Sequence, residues 1–295
     1  MNPGRGHRRK SACLALSIVL VVGACGASDA GDGQSTSGPG PQGPHPEWTT
    51  SRREELADAA GSGHDWLMAR GTTLPPYVAL LMDYLRRRFG AGIPPDLVDQ
   101  ARVVAAEGEG ASQMRVYLRL VDPDVTITRT DLDGLEDEVD RITGPALACD
   151  QVPLPDGYLE LLQRAVDLGG YERTHAVLAL QWLREHDCIG EATARDLSDR
   201  WAGALVESVE SERAFGNGAG DLAIEAMAML AYSGHADRIE EDWAADVIAV
   251  QRPDGSWRHG SAGGAGSPHA TVLAVWLLSE LANPDTAPTP WIPQP

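Results

Sequence analysis

Two histidines in the C-terminal half of the chain stand at the start of long apolar stretches. His175 precedes AVLALQWL and His269 precedes ATVLAVWLL. An imidazole can bind a ligand or transfer a proton near neutral pH. A helix N-terminus disfavours its positive form, because the helix dipole is positive there. The alternative is structural, with each ring capping its helix or bonding to a neighbouring loop.

Two carboxylates belong to a third apolar stretch, LAIEAMAML. Glu225 is the only charge within it, and a carboxylate buried there needs a partner or water. It faces either an arginine or a cavity, and in a cavity it would be a general-acid candidate. Asp221 follows Gly218-Ala219-Gly220 and suits the N-cap of the same helix.

These stretches recur at a constant interval. His175, Leu222 and His269 are each 47 residues apart, and seven residues further on stand Trp182, Met229 and Trp276. A spacing of seven returns to one helix face, and a period of this size is typical of helical-hairpin arrays. Tyr77 and Tyr84 keep the spacing of seven in the N-terminal half. The apolar stretches predict buried inner helices, and the amphipathic segments between them predict outer helices with one wet face.

The helical pattern extends over most of the chain after residue 47 and predicts an all-α protein. Eleven segments carry it: Arg52–Ala69, Pro75–Phe89, Pro95–Glu107, Ser112–Val121, Asp131–Ile142, Tyr158–Leu168, Tyr171–Asp187, Ala192–Arg213, Asp221–Tyr232, Arg238–Gln251 and His269–Leu281. We divide this part into an irregular helical region, 47–150, helical-hairpin repeats, 151–284, and a Pro-rich tail, 285–295.

The stretch from Gln251 to Leu278 is the best-preserved repeat. Pro253-Asp254-Gly255 predicts a tight turn, with Gln251 before it and Trp257 after it. This Gln-x-x-x-Gly-x-Trp pattern resembles the repeats of the α/α-toroid superfamily of squalene/terpene cyclases and protein prenyltransferases. The resemblance implies an α/α toroid, as an incomplete or modified ring, in which Gln251, Gly255 and Trp257 tighten helix packing.

The same resemblance implies a site in the toroid cavity, where the inner-helix ends meet. His175, Glu225 and His269 become candidate catalytic residues. Asp221 and His269 match the zinc-binding Asp and His of prenyltransferases, although Ala223 replaces the cysteine ligand. No cofactor is expected unless zinc binds, with His175 as a third ligand.

A partial acid motif lies outside the repeats. Asp131–Gly134 partly resembles the motif of squalene-hopene-type cyclases. The acidic residues around it favour a solvated acidic face.

The N-terminus has the features of a bacterial lipoprotein. Arg5, Arg8, Arg9 and Lys10 precede a short apolar run, and Gly23-Ala24-Cys25 resembles a lipobox. We predict a signal peptide, 1–24, lipidation of Cys25, and a Gly/Ser/Pro-rich disordered tether, 25–46. Cys149 and Cys188 then remain, and an even number of cysteines in an exported protein predicts a disulfide; two buried thiols are the alternative.

The net charge of −19 disfavours nucleic acid as a partner. Loss of the four basic residues of the signal peptide makes the chain more acidic still. The sequence thus predicts a protein of the bacterial cell envelope, outside the cytoplasm and held at a membrane by its lipid. The preferred hypothesis is a non-catalytic toroid that binds a small molecule or a protein. The alternative is an enzyme related to cyclases, prenyltransferases or polysaccharide lyases.

Overall fold

A computed structural model describes residues 45–94, 96–106, 110–216, 218–259 and 265–293. Within those ranges the regular structure is entirely helical, as predicted, with three short 3₁₀ turns and no strand. The α-helices are α1 Thr50–Met68, α2 Pro76–Phe89, α3 Leu97–Ala106, α4 Ala111–Tyr117, α5 Arg129–Asp133, α6 Glu138–Leu147, α7 Tyr158–Leu168, α8 Gly170–Glu185, α9 Glu191–Ala214, α10 Asp221–Tyr232, α11 Glu241–Ala249 and α12 Pro268–Ala282. None of these helices combines the length and the apolar character needed to cross a bilayer.

The predicted signal peptide, Cys25 and nearly all of the predicted tether lie outside the described residues. Local sequence accounts for several helix ends inside them. The Thr49 hydroxyl accepts a hydrogen bond from the Arg52 amide at 3.2 Å, and Ser267 caps α12 in the same way through the Ala270 amide. Pro268 occupies the first turn of α12, where its missing N–H costs nothing.

The even-numbered helices contact one another in sequence. α2 contacts α4, α4 contacts α6, and the series continues through α8 and α10 to α12, which contacts α2. Most odd-numbered helices pack against their neighbours in this series, for example α7 against α8 and α9 against α10. Ten of the twelve residues of α10 are buried, against seven of the 24 in α9. The predicted contrast between buried and half-wet helices is therefore present in the structure.

Helices α8, α10 and α12 are parallel neighbours, because contacts join the same ends of each pair. Near their N-termini Asp221 accepts from both Tyr171 and His269. Near their C-termini the Tyr232 hydroxyl donates to Glu185, and its ring packs on Trp276. We call these the histidine end and the tryptophan end.

The turn after α11 ties three helices together. The Gln251 amide donates to the carbonyls of Ala59 and Gly255, both at 2.9 Å, and Trp257 Nε1 donates to Val247 O at 2.8 Å. Gly255 has φ +87°, and a Cβ there would lie 2.4 Å from Ser62 O. The Trp257 amide also donates to the Thr271 hydroxyl at 3.0 Å, so this turn joins α11 and α12 to α1.

The region around residues 131–142 differs from the prediction, which gave one helix with a wet acidic face. It forms α5 and α6 with a break between them. Asp131 is buried, completes a capping box with Thr128 and pairs with Arg115. Asp140 is buried too, and accepts from Gln113 and Tyr117. Side-chain partners from other elements therefore bury two of the six acidic residues of this segment, while Asp133, Glu136, Asp137 and Glu138 stay exposed as expected.

Two features close the fold at the tryptophan end. The Sγ atoms of Cys149 and Cys188 lie 2.01 Å apart, the predicted disulfide pair, and join the ends of α6 and α8. The chain after α12 packs on the core rather than leaving it, since Trp291 and Ile292 are 6% and 1% exposed.

Candidate functional site

Asp221 is the centre of a polar cluster at the histidine end. It is the first residue of α10, after the N-cap Gly220, and is 3% exposed. Its Oδ1 and Oδ2 atoms lie 3.0 and 3.1 Å from His269 Nδ1. Oδ2 also lies 3.3 Å from His259 Nδ1 and 2.7 Å from the Tyr171 hydroxyl oxygen. The helix N-terminus adds a favourable field for the negative charge. Asp221 therefore binds side chains from α8, α12 and the loop before α12, in place of the expected N-cap role.

The pKa values of Asp221 and His269 are coupled. Burial alone would raise the pKa of Asp221, but the hydrogen bonds from His269 and Tyr171 and the charges of the two histidines lower it overall. Burial alone would lower the pKa of His269, but its hydrogen bond to Asp221 and the negative charges of Asp221 and Glu225 raise it overall. The expectation that the charged form of His269 is disfavoured is therefore wrong, because the hydrogen bond to Asp221 and the two nearby negative charges outweigh burial.

Three side chains of this cluster fit a metal ion. Potential ligand atoms of Asp221, His259 and His269 all lie within 4.8 Å of one another. Two imidazoles and one carboxylate form a typical zinc ligand set, and ligand atoms about 2.1 Å from a tetrahedral zinc would lie about 3.4 Å apart. The observed separations of 3.0 to 3.3 Å from the Asp221 oxygens to the two Nδ1 atoms approach that value. Tyr171 supplies the outer hydrogen bond that orients such a carboxylate.

The predicted pair Asp221 and His269 is thus brought together, but the predicted third ligand is not. His175 lies outside the cluster, and His259 takes its place. The sequence contains one signal for His259, its position two residues after Trp257 at the entrance to the glycine-rich loop.

His175 and Glu225 form a second histidine–carboxylate pair. His175 Nδ1 lies 2.8 Å from the carbonyl of Tyr171 and 3.3 Å from Glu225 Oε1. Because a carbonyl only accepts, Nδ1 carries the proton, and the neutral ring then has its lone pair on Nε2. Glu225 is 4% exposed, its Oε1 is bonded by the Thr174 hydroxyl, and its Oε2 is a buried atom without a partner among the described residues.

The two pairs are related by the repeat. His175 and His269 are equivalent in the 47-residue repeat, although His175 is the sixth residue of α8 and His269 the second of α12; the two carboxylates lie one turn apart on α10 between them. Each imidazole is held through Nδ1 and is partly exposed, at 23% and 34% of the side chain. With Nδ1 of His175 held in this way, its Nε2 can accept a proton, whereas in His269 Nδ1 is the atom placed to bind a metal ion.

Two tyrosines border the cluster. The pKa of Tyr171 is raised well above its ordinary value, mainly by burial and secondly by the hydrogen bond to Asp221. Its hydroxyl therefore remains a donor at neutral pH. Tyr77 on α2 contacts the His269 ring edge-on at 6.0 Å between centroids and is 45% exposed. The spacing of seven gave a weak signal for Tyr77, and none pointed to Tyr171 as a partner of Asp221.

A cavity of about 620 Å³ opens elsewhere, between α4 and the start of α6. Ser112, Gln113, Asp137 and Asp140 are among its lining residues. None of the predicted site residues lines it.

The chain was compared with protein-family models, with curated proteins and with solved structures, and no match was found.

Proposed function

We propose that the helices form an α/α toroid, with α2, α4, α6, α8, α10 and α12 as the inner ring. The circuit of contacts from α2 through α12 back to α2 supports it. The parallel direction of α8, α10 and α12 and the deep burial of their residues support it as well. In such a ring the histidine end is the mouth of the central cavity.

We also propose that the protein is an extracytoplasmic lipoprotein of a bacterial cell envelope, anchored to a membrane through Cys25. The lipobox-like sequence supports the anchor. The Cys149–Cys188 pair supports an oxidising compartment, because disulfides are rare in the cytosol.

We propose that this anchored protein is a binding protein whose site holds a divalent metal ion, with zinc the best fit. The observation that carries this is a buried carboxylate, Asp221, shared by two imidazoles, with one potential ligand atom from each of the three residues within 4.8 Å of the other two. Three protein ligands leave a fourth position open, through which a bound zinc can polarise a small-molecule or protein ligand. Asp221 and the two histidines would hold the ion, and Tyr171 would orient Asp221.

Metal analysis tests this proposal. Purified protein, stripped with chelator and dialysed against micromolar zinc, is expected to retain one zinc ion per chain, and Asp221→Asn, His259→Ala and His269→Ala are each expected to retain much less. His64→Ala is the matched control, since this histidine lies on α1 and bonds to Gly92 O. Zinc bound equally by His269→Ala, or by none of the proteins, would refute the proposed metal site.

The pair of His175 and Glu225 favours a second candidate, an enzyme that uses the same cavity on an apolar or carbohydrate substrate. The Nε2 atom of His175 would accept a proton, and Glu225 would hold the ring in position. Turnover is measured on acidic polysaccharides and on isoprenoid diphosphates. Activity lost in His175→Ala, with zinc binding intact, favours the enzyme; no turnover on either class favours a binding protein.

A further inference from the structure

The segment after α12 inserts an aromatic side chain into the tryptophan end. The Trp291 ring lies between rings from four helices, with centroid distances of 5.1 to 5.9 Å. These four rings belong to Tyr84 on α2, Trp182 on α8, Tyr232 on α10 and Trp276 on α12. The ring of helices thus forms an aromatic pocket, and the chain's own C-terminal segment fills it.

Charged side chains beside this pocket bind the backbone of the segment. Arg87 donates to the carbonyls of Pro290 at 2.9 Å and Trp291 at 2.6 Å. Glu185 accepts from the amide of Trp291 at 3.1 Å and from the amide of Ile292 at 2.9 Å. These four bonds recognise main-chain atoms and so depend little on which side chains the segment carries.

A fifth bond of the same kind comes from Arg88, which donates to the carbonyl of Ala287 at 2.7 Å. A bidentate pair with Glu280 fixes the guanidinium of Arg88, and both side chains are nearly fully buried. The donor is therefore oriented by the helices themselves, whether or not the segment is bound.

The composition of the segment suits this mode of binding. The segment contains three prolines, Pro288, Pro290 and Pro293, and residues 287–290 have no regular secondary structure. Proline limits the conformations of an unbound segment, so little entropy is lost when it docks. Main-chain hydrogen bonds combined with an aromatic-lined pocket are the usual means by which proteins bind proline-rich peptides.

We propose that the tryptophan end is a binding site for proline-rich, tryptophan-bearing peptide segments, and that residues 286–293 occupy it as an exchangeable ligand in cis. A partner protein with such a segment would displace the chain's own. Because a tethered segment acts at an effective concentration on the order of millimolar, the natural chain binds a free peptide weakly. This proposal does not depend on the metal site, which lies at the opposite end.

A labelled synthetic peptide with the sequence of residues 286–295 tests the proposal by fluorescence anisotropy. The full chain carrying Trp291→Ala, whose own segment cannot fill the pocket, is expected to bind this peptide at least tenfold more tightly than the natural chain does. The peptide with Trp291→Ala is expected to bind at least tenfold more weakly. Adding Arg87→Gln to the Trp291→Ala chain should weaken binding, whereas Arg195→Gln, on the exposed face of α9, should not.

Each outcome decides the matter. If the Trp291→Ala chain keeps its helical circular dichroism but binds the peptide no better than the natural chain does, the site is not a peptide site. If that chain loses its helical signal, the segment is part of the core and the proposal fails. Swapped dimers of the natural chain would support exchange, because a second copy would then supply the segment. Zinc retention in the same samples reports on the histidine end separately.

Discussion

On α2 and α12, a residue at the histidine end is followed seven residues later by one at the tryptophan end, and the two ends differ in exposure. At the histidine end Tyr77 is 45% exposed and His269 keeps a third of its side chain accessible. At the tryptophan end, about 10 Å further along each helix, Tyr84 and Trp276 are at most 1% exposed. The same spacing thus places an accessible polar site at one end and buried aromatic side chains, with the C-terminal segment packed on them, at the other.

Buried carboxylates at the two ends have different partners. Asp221 and Glu225 bind histidines that reach solvent. Glu280 binds Arg88, Tyr84 and Trp276, all within the core. We therefore expect substitutions at the tryptophan end to change stability most, and those at the histidine end to change titration and ligand binding.

Glu280→Ala should have the largest effect. It leaves the buried guanidinium of Arg88 without its bidentate partner, which costs about 3–5 kcal/mol of unfolding free energy. Urea denaturation measures the loss. The control is Glu191→Ala, whose exposed pairs with Arg184 and Arg195 should contribute less than about 1 kcal/mol. Equal losses in the two variants would contradict the difference between buried and exposed carboxylates.

Breaking the disulfide should come next. Cys149 and Cys188 are 39 residues apart in sequence and fasten α6 to α8 at the tryptophan end. Replacing both with alanine should lower the free energy of unfolding by about 2–4 kcal/mol, with zinc retention unchanged. The midpoint of urea denaturation is measured with and without a reducing agent. The reducing agent should lower it in the natural chain and leave it unchanged in the double variant. Loss of zinc retention on reduction would show that the two ends are not independent.

The all-helical class and most helix positions were predictable because their signals are local. Proline and serine at helix starts, glycine at turns and a period of 47 residues set the bounds of most helices to within about two residues. The largest departure is 131–142, whose acidic residues find partners far away in sequence, such as Arg115 for Asp131 and Tyr117 for Asp140. Sequence pattern carries no information about such partners.

The site was only partly predictable for the same reason. Asp221 and His269 both lie in the first turns of neighbouring helices, and the resemblance to prenyltransferases had paired them. His259 stands in a loop without periodicity, and its distance to Asp221 depends on how the turn at Gly255 directs the chain. The packing of Trp291 into the core could not be read from a Pro-rich sequence, because the aromatic pocket is assembled from four distant helices.

The third prediction concerns Glu185 at the tryptophan end. Burial is the main cause that raises its pKa to about 7, against opposing hydrogen bonds from Tyr232 and the amides of Ile292 and Trp291. A raised carboxyl pKa means that the folded state binds more protons, so this contribution to stability is complete below about pH 4.5 and is lost as the pH rises through 7. Glu185→Gln should therefore flatten the fall in unfolding free energy between pH 4.5 and 7.5. An unchanged slope would place the titration on another group.

The smallest effect is expected at the histidine end, in the titration of His269. Its raised pKa stabilises the folded state fully below about pH 6.5, and this contribution is lost as the pH rises through the folded-state value. Asp221→Asn removes the negative charge and leaves at most a weaker, neutral acceptor while burial remains, so the pKa of His269 should fall below 6.5 and the sign of its contribution should reverse. Nuclear magnetic resonance titration of metal-free protein measures this, with Asp246→Asn, an exposed position paired with Arg213, as the control. If the pKa of His269 is the same in both variants, Asp221 does not control it, and the contrast between the two ends loses its electrostatic basis.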